Sequence, residues 1–222
     1  MLALLEELAR SLLDFLEEHP NISQLHFPIK SPASDVEIRM WEASHAPVKL
    51  PEDIKSFYLQ LNGLAPCWDI WLTTSPVALG CMHATSLSEL KPVPESVFCS
   101  GPGTIDESLP PELAVAGLRA YDLDSTCTSG RVCIFLGNAE PQVWFQDNSC
   151  MWYFIASSFT DYFRLMVLNL GLPRWQYAYT EAGLDPVAKQ WFKLLAPARL
   201  DIIDARAPSI ITGSACSRPI HL

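Results

Sequence analysis

The sequence predicts an α+β fold: one domain with a mainly antiparallel sheet flanked by helices, followed by a C-terminal helical segment. Three observations carry this. Amphipathic stretches with helix-capping residues lie on both sides of the chain's middle. Between Cys67 and Phe154 the texture changes to short β-rich runs separated by Pro, Gly, Ser and Asn. The composition, 49% hydrophobic and 10% aromatic with only 18% charged residues over 222 positions, suffices for a real core and excludes a disordered chain. The predicted domain covers 1–208, with a flexible tail over 209–222 that lacks any hydrophobic period.

In the first 20 residues, Leu4, Leu5, Leu8, Leu12, Phe15 and Leu16 fall on one side of a helical wheel. Glu6, Glu7, Arg10, Asp14, Glu17 and Glu18 fall on the other, and Pro20 ends the helix. Glu6 and Glu7 stand where a signal peptide would begin its apolar stretch, so the segment reads as mature helix. A second helix is predicted over 50–63. Pro51 suits its first turn, Glu52 and Asp53 complement the positive dipole end, and Asn62-Gly63 supplies a left-handed stop. Its buried stripe is Ile54, Phe57, Tyr58 and Leu61.

The runs CWDIWL, VALGCM, RAYDL, RVCIFL, QVWF and CMWYF are the predicted strands. Residues 87–111 read as a helical turn near 85–90 and then a long loop. A third helix starts at Ser158, with Asp161 three residues on, and stops at Gly171-Leu172-Pro173. Phe159, Phe163, Met166 and Leu170 form its core stripe; Leu165 and Leu168 project elsewhere. Asp185-Pro186 opens a fourth helix, PVAKQWFKLL, which Pro197 closes.

Charge narrows the function. The net charge is −10, with 8 Lys+Arg against 20 Asp+Glu over residues 1–150 and 7 against 5 over 151–222. An acidic body of this kind argues against nucleic acid or an anionic membrane as a direct partner. No apolar run is long enough to span a bilayer. Seven Cys without a C-x-x-C pair favour neither a disulfide framework nor a zinc site, and predict thiols that serve mostly as small core residues in a cytosolic chain.

Motifs for chemistry are wanting. There is no phosphate loop, dinucleotide fingerprint, nucleophile elbow or H-E-x-x-H. Gly101-Pro102-Gly103 lacks a following base, and Pro102 removes an amide donor. Asp122-Leu123-Asp124 resembles the start of a calcium loop, but Cys127 and Cys133 occupy the positions that need Gly and Glu, so a turn is predicted. Cys133 could pair with His83 or His45 as a thiolate–imidazole couple, yet its apolar strand favours an inert thiol. Glu17-Glu18 and Glu52-Asp53 read as solvated or dipole-complementing carboxylates. No catalytic, cofactor or metal residue is therefore assigned.

The stretch WEASHAPVKLPEDIKSFYLQLNG, 41–63, resembles the opening signature of the SUKH superfamily. YDLDSTCTSGRVCIFL, Gly171-Leu172-Pro173, WQYA at 175–178 and AKQWF at 188–192 are similar to the tubulin polyglutamylase complex subunit 2 family, the likeness covering about 35–197. That resemblance implies a SUKH-like domain without catalysis or cofactor. It implies a scaffold or targeting subunit beside a tubulin-tyrosine-ligase-like catalytic subunit, polyglutamylase complex subunit 1, a leucine-rich-repeat subunit and nicolin, with tubulin met indirectly. It further implies the cytoplasm and cytoskeleton: microtubules, centriolar satellites and the ciliary base. The family's long basic C-terminal extension and acidic loop insert are absent from this sequence. The alternative is a free SUKH-type immunity or regulatory module unrelated to tubulin.

The residues themselves suggest where a partner binds. Trp175, Tyr177, Tyr179, Trp191 and Phe192 crowd into 171–196 beside Arg174, the mix that interface centres favour. With Leu165 and Leu168 they form the predicted protein interface. The competing reading has each ring packing the last helix onto the sheet. The acidic N-terminal helix is a second candidate, for a basic partner.

Overall fold

The computed structural model describes residues 2–28, 30–72, 74–94, 109–124 and 126–211. Among them are six α-helices, a 3-10 helix and seven strands. The strands form two antiparallel sheets rather than one: a three-stranded sheet in the order β1-β2-β3 and a four-stranded sheet in the order β4-β5-β6-β7. All six runs read as strands are strands: β2 (Cys67–Leu72), β3 (Ser75–Cys81), β4 (Arg119–Asp124), β5 (Gly130–Leu136), β6 (Gln142–Asp147) and β7 (Trp152–Ala156). β1 (Ile22–His26) was not expected, and it pairs Ile22 with Ile70 and His26 with Cys67 along β2.

α1 (Leu2–Glu18) buries Leu12 and Leu16, whereas Phe15, on the predicted apolar side, is 40% exposed. α2 (Asp35–Ser44) lies where no helix was predicted. Its signal is local: Ser34 accepts from the Glu37 N–H, and the Glu37 carboxylate accepts from the Ser34 N–H at 2.7 Å, a complete capping box. α3 (Glu52–Tyr58) is shorter than the predicted 50–63. Asn62 and Gly63 do take positive φ, 40° and 109°, and the Asn62 side chain accepts from the Leu87 N–H at 3.0 Å. The turn expected near 85–90 is closed by bonds from the Glu89 and Leu90 N–H groups to the Ser86 carbonyl. Most of the following loop, including Gly101-Pro102-Gly103, lies outside the described residues.

The four-stranded sheet explains its own composition. Tyr121, Leu123, Val132, Ile134, Val143 and Phe145 face the main core. Ala120, Cys133, Phe135, Trp144 and Trp152 alternate with them and form a second cluster with Val93 and Leu113 on the opposite face. Strands covered on both sides read as continuous apolar runs, as RVCIFL does.

α4 (Phe159–Leu168) is held at both ends by residues distant in sequence. Ser158 caps it as predicted, accepting from the Asp161 N–H. Asp53 is 7% exposed, and its Oδ2 accepts from the Thr160 N–H at 3.0 Å, so α3 supplies a second acceptor to the first turn of α4. This corrects the reading of Asp53 as a solvated, dipole-complementing carboxylate. Its neighbour Glu52 fits that reading, being exposed and paired with Lys55. At the other end Leu170 and Gly171 have φ of 54° and 58°. There the Trp68 indole N–H donates to the Leu170 carbonyl at 3.1 Å, and the Cys81 N–H to the Gly171 carbonyl at 3.0 Å. Gly80 is required beneath this clamp, since a Cβ there would overlap the Trp68 indole.

Two expectations fail. Cys67 and Cys81 are joined in a disulfide across β2 and β3, their register positions directly opposite, although the sequence favoured no disulfide framework. Hairpin register placed them together; spacing alone showed nothing. Of the other described thiols only Cys133 is buried, Cys150 being exposed. Pro197, read as the end of the last helix, starts another: α5 (Pro186–Leu195) is followed at once by α6 (Pro197–Ile211). Proline at a first helical position loses no intrahelical bond, so it permits a new start as readily as it stops the old helix. α6 runs past the predicted domain boundary at 208; residues 212–222 of the predicted tail lie outside the described residues.

Replacing Asp53 by Ala should leave the Thr160 N–H unpaired in a buried setting and cost about 2 kcal/mol of unfolding free energy. Glu52→Ala should cost almost nothing. Equilibrium urea unfolding of both variants checks the contrast.

Candidate functional site

His83 Nδ1 lies 3.2 Å from Asp124 Oδ1, both side chains nearly buried. Asp124 ends β4 and accepts from the Thr126 N–H and hydroxyl at 2.9 and 2.8 Å, so the Asp122-Leu123-Asp124 run closes a hairpin as the sequence suggested. His83 Nδ1 faces Asp124 without making a hydrogen bond to it, and His45 stacks on Trp41 with its Nδ1 at 2.8 Å from the Trp41 carbonyl. Cys133 is fully buried, and burial pushes its thiol well above the usual range, with Asp122 adding to the shift. A thiol so held is a poor nucleophile. Among the described residues no group of three or more His, Cys, Asp or Glu side chains could hold a metal ion.

Asp122 is half-buried in β4. Burial raises its carboxyl above the ordinary value of 3.8, the Arg131 guanidinium 3.9 Å away opposes this in part, Asp124 adds to it, and His83 opposes it. A carboxyl raised on folding binds its proton more tightly in the folded state, so its contribution is greatest below the unfolded value and is lost as pH rises through the folded one.

The residues of the predicted interface divide by burial. Trp175 is 3% and Phe192 0% exposed; these two are core and do not form a surface. Trp175 lies against Tyr162 and Tyr179. Their burial is the physical outcome that the sequence could not choose, since a ring at an interface and a ring in a core have the same composition. Leu165, Tyr177, Tyr179 and Trp191 are half-buried against the core. The Tyr177 hydroxyl donates to the Ser129 carbonyl at 3.1 Å and its ring meets Phe145 edge-on. The Tyr179 hydroxyl accepts from Arg199 at 2.9 Å, with burial holding it above its usual range. Leu168, at 47%, and Arg174 are exposed.

Arg174 takes a left-handed φ of 62° at the head of the 3-10 helix Trp175–Tyr179 and reaches Asp185 at 3.1 Å. Asp185 in turn caps α5, accepting from the Val187 and Ala188 N–H groups at 2.8 and 3.1 Å. Burial raises its carboxyl, but the Ala188 N–H, Arg174 and the Val187 N–H together outweigh this and hold it below its usual range. The 3-10 segment is thereby tied to the start of α5.

Sequence reasoning missed two residues of this surface, Val187 at 61% and Leu194 at 51% exposed. The signal was present. PVAKQWFKLL carries apolar residues in adjacent pairs, Val187-Ala188, Trp191-Phe192 and Leu194-Leu195, more than one helix face can bury. Exposed apolar side chains lie on α4 at Leu168 and on α5 at Val187 and Leu194, with no assembled catalytic constellation among the described residues.

Replacing Asp122 by Asn should raise the melting temperature at pH 7, and the gain should vanish as pH falls below about 3.8. Calorimetry of both chains across pH 3–7 checks it.

Comparison with known proteins gives two findings. Residues 32–165 match the SMI1/KNR4 family (SUKH-1). The chain is 32% identical over 213 residues to tubulin polyglutamylase complex subunit 2 of Rattus norvegicus, covering 87% of this chain and 72% of the relative. For the Homo sapiens protein of the same name the identity is 33%, covering 87% and 70%. No solved structure matches it significantly.

Proposed function

Because the chain belongs to the SMI1/KNR4 (SUKH-1) family and to the family of tubulin polyglutamylase complex subunit 2, we propose that it is a non-catalytic scaffold or targeting subunit of a tubulin polyglutamylase. In this reading it supports glutamate addition to tubulin tails by a tubulin-tyrosine-ligase-like subunit. Its further partners are polyglutamylase complex subunit 1, a leucine-rich-repeat subunit and nicolin, and its setting is the cytoplasm at microtubules, centriolar satellites and ciliary bases. The observation that carries the proposal is the likeness over nearly the whole chain to proteins named as a subunit of that complex. Two carboxylates that could have served catalysis are engaged in structure: Asp53 on the first turn of α4 and Asp124 on a hairpin turn.

A SUKH-type module acting without tubulin would have the same fold, so fold alone does not separate the two readings. Purification of the tagged chain from native cells does. A polyglutamylase subunit should bring down a ligase-like glutamylase and a leucine-rich-repeat protein, and the purified chain by itself should neither hydrolyse ATP nor glutamylate tubulin. Recovery of the intact chain without a glutamylase would refute the proposal. Leu168→Asp should lower that recovery severalfold while leaving the melting temperature within a few degrees, because Leu168 is exposed.

A further inference from the structure

On α5 the side chains at i, i+4 and i+7 that face the core are Ala188, Phe192 and Leu195. The same spacing recurs one residue earlier with Val187, Trp191 and Leu194, a stripe turned about 100° around the helix. Single exposed aliphatics are ordinary, but here Val187 and Leu194 are 61% and 51% exposed and half-buried Trp191 joins their stripe to the core. The far flank of the stripe carries Gln190 and Lys193, both exposed.

Charge indicates what fits there. Over residues 186–206, α5 and the start of α6 hold four cations against two carboxylates, whereas residues 1–150 hold eight against twenty. Lys189 is engaged by Asp204 at 2.9 Å, and Arg199 by Asn169 and Tyr179. Of the two α5 lysines, Lys193 is the one on the flank of the stripe, and no ion pair to it is found among the described residues. We propose that the Val187–Trp191–Leu194 stripe seats an amphipathic helix of a partner subunit, with an apolar ridge and a Glu- or Asp-bearing flank that meets Lys193. A helix of that kind supplies apolar anchors at the spacing this stripe offers. It is drawn to this cation-rich segment and repelled by the acidic body of residues 1–150. A second copy would set two cation-rich hairpins against each other. An acidic disordered tail would need a row of free cations, and here one lies beside an apolar stripe.

This inference rests on the complex-subunit reading. The test replaces Leu194 by the photoreactive p-benzoylphenylalanine in the full chain, with Glu181 replaced likewise in a control, and maps adducts by mass spectrometry after irradiating the purified complex. The expected result is an adduct from position 194, absent from 181, on a partner-subunit peptide with apolar residues at i, i+3 or i+4, and i+7 and with flanking carboxylates. Val187→Asp with Leu194→Asp should cut recovery of that subunit about tenfold. Lys193→Glu should cut it less, and more at low salt than at high. An adduct to a second copy, to this chain's own residues or to a tubulin tail would overturn the proposal, as would no adduct from an intact complex. If the wild-type chain brings down no other subunit, the complex-subunit reading fails and the helix-docking inference falls with it.

Discussion

The buried carboxylate of Asp53 joins two helices through residues 107 positions apart in the chain, and the placement of the start of α4 rests on it. One oxygen accepts from the Ile54 N–H inside α3 while the other accepts from the backbone N–H and hydroxyl of Thr160 in α4. A carboxylate at a helix N-terminus meets both unpaired donors and the positive dipole end. Because these groups are nearly buried, leaving any of them unpaired costs more than the bond gains, which makes the junction specific as well as stable. Phe57, Phe159 and Phe163 pack beside it, bringing the aromatic core of α3 and α4 into register.

Once α4 is placed at its start, its end determines the surface. The three-stranded sheet grips the left-handed turn at Leu170-Gly171 through Trp68 and Cys81. The chain leaves this grip into the 3-10 helix, whose Arg174 reaches Asp185, the cap of α5. A sequence of short-range ties therefore carries the orientation of α4 to the exposed stripe on α5. The cross-strand pair Cys67–Cys81 sits at the same junction, one residue from both Trp68 and Gly80.

Much of the scaffold was legible because its signals are local. Ser158 and Asp185 cap their helices as side-chain acceptors, and no tertiary contact is needed to recognise that chemistry. The strand runs were equally clear, since β-branched and aromatic residues between turn formers favour extended pairing. β1 escaped because ISQLH, with burial limited to half, presents little apolar contrast. α6 escaped because a proline after a helix is consistent with either a stop or a new start. The candidate surface was legible as a region but not residue by residue. Trp175 and Phe192 read as interface by composition and are core, while Val187 and Leu194 read as ordinary helix and are exposed.

The sequence by itself determined the α+β class, the positions of most elements and the family to which the chain belongs, because these follow from local capping, period and motif identity. Only the tertiary structure decided that the strands split into two sheets, that Cys67 faces Cys81 and that Asp53 is a buried tie rather than a solvated acid. It alone also decided which face of α5 is covered. The physical reason is the same in each case: burial and register depend on what the rest of the chain places opposite a residue, and a residue's own neighbours in sequence carry no record of that.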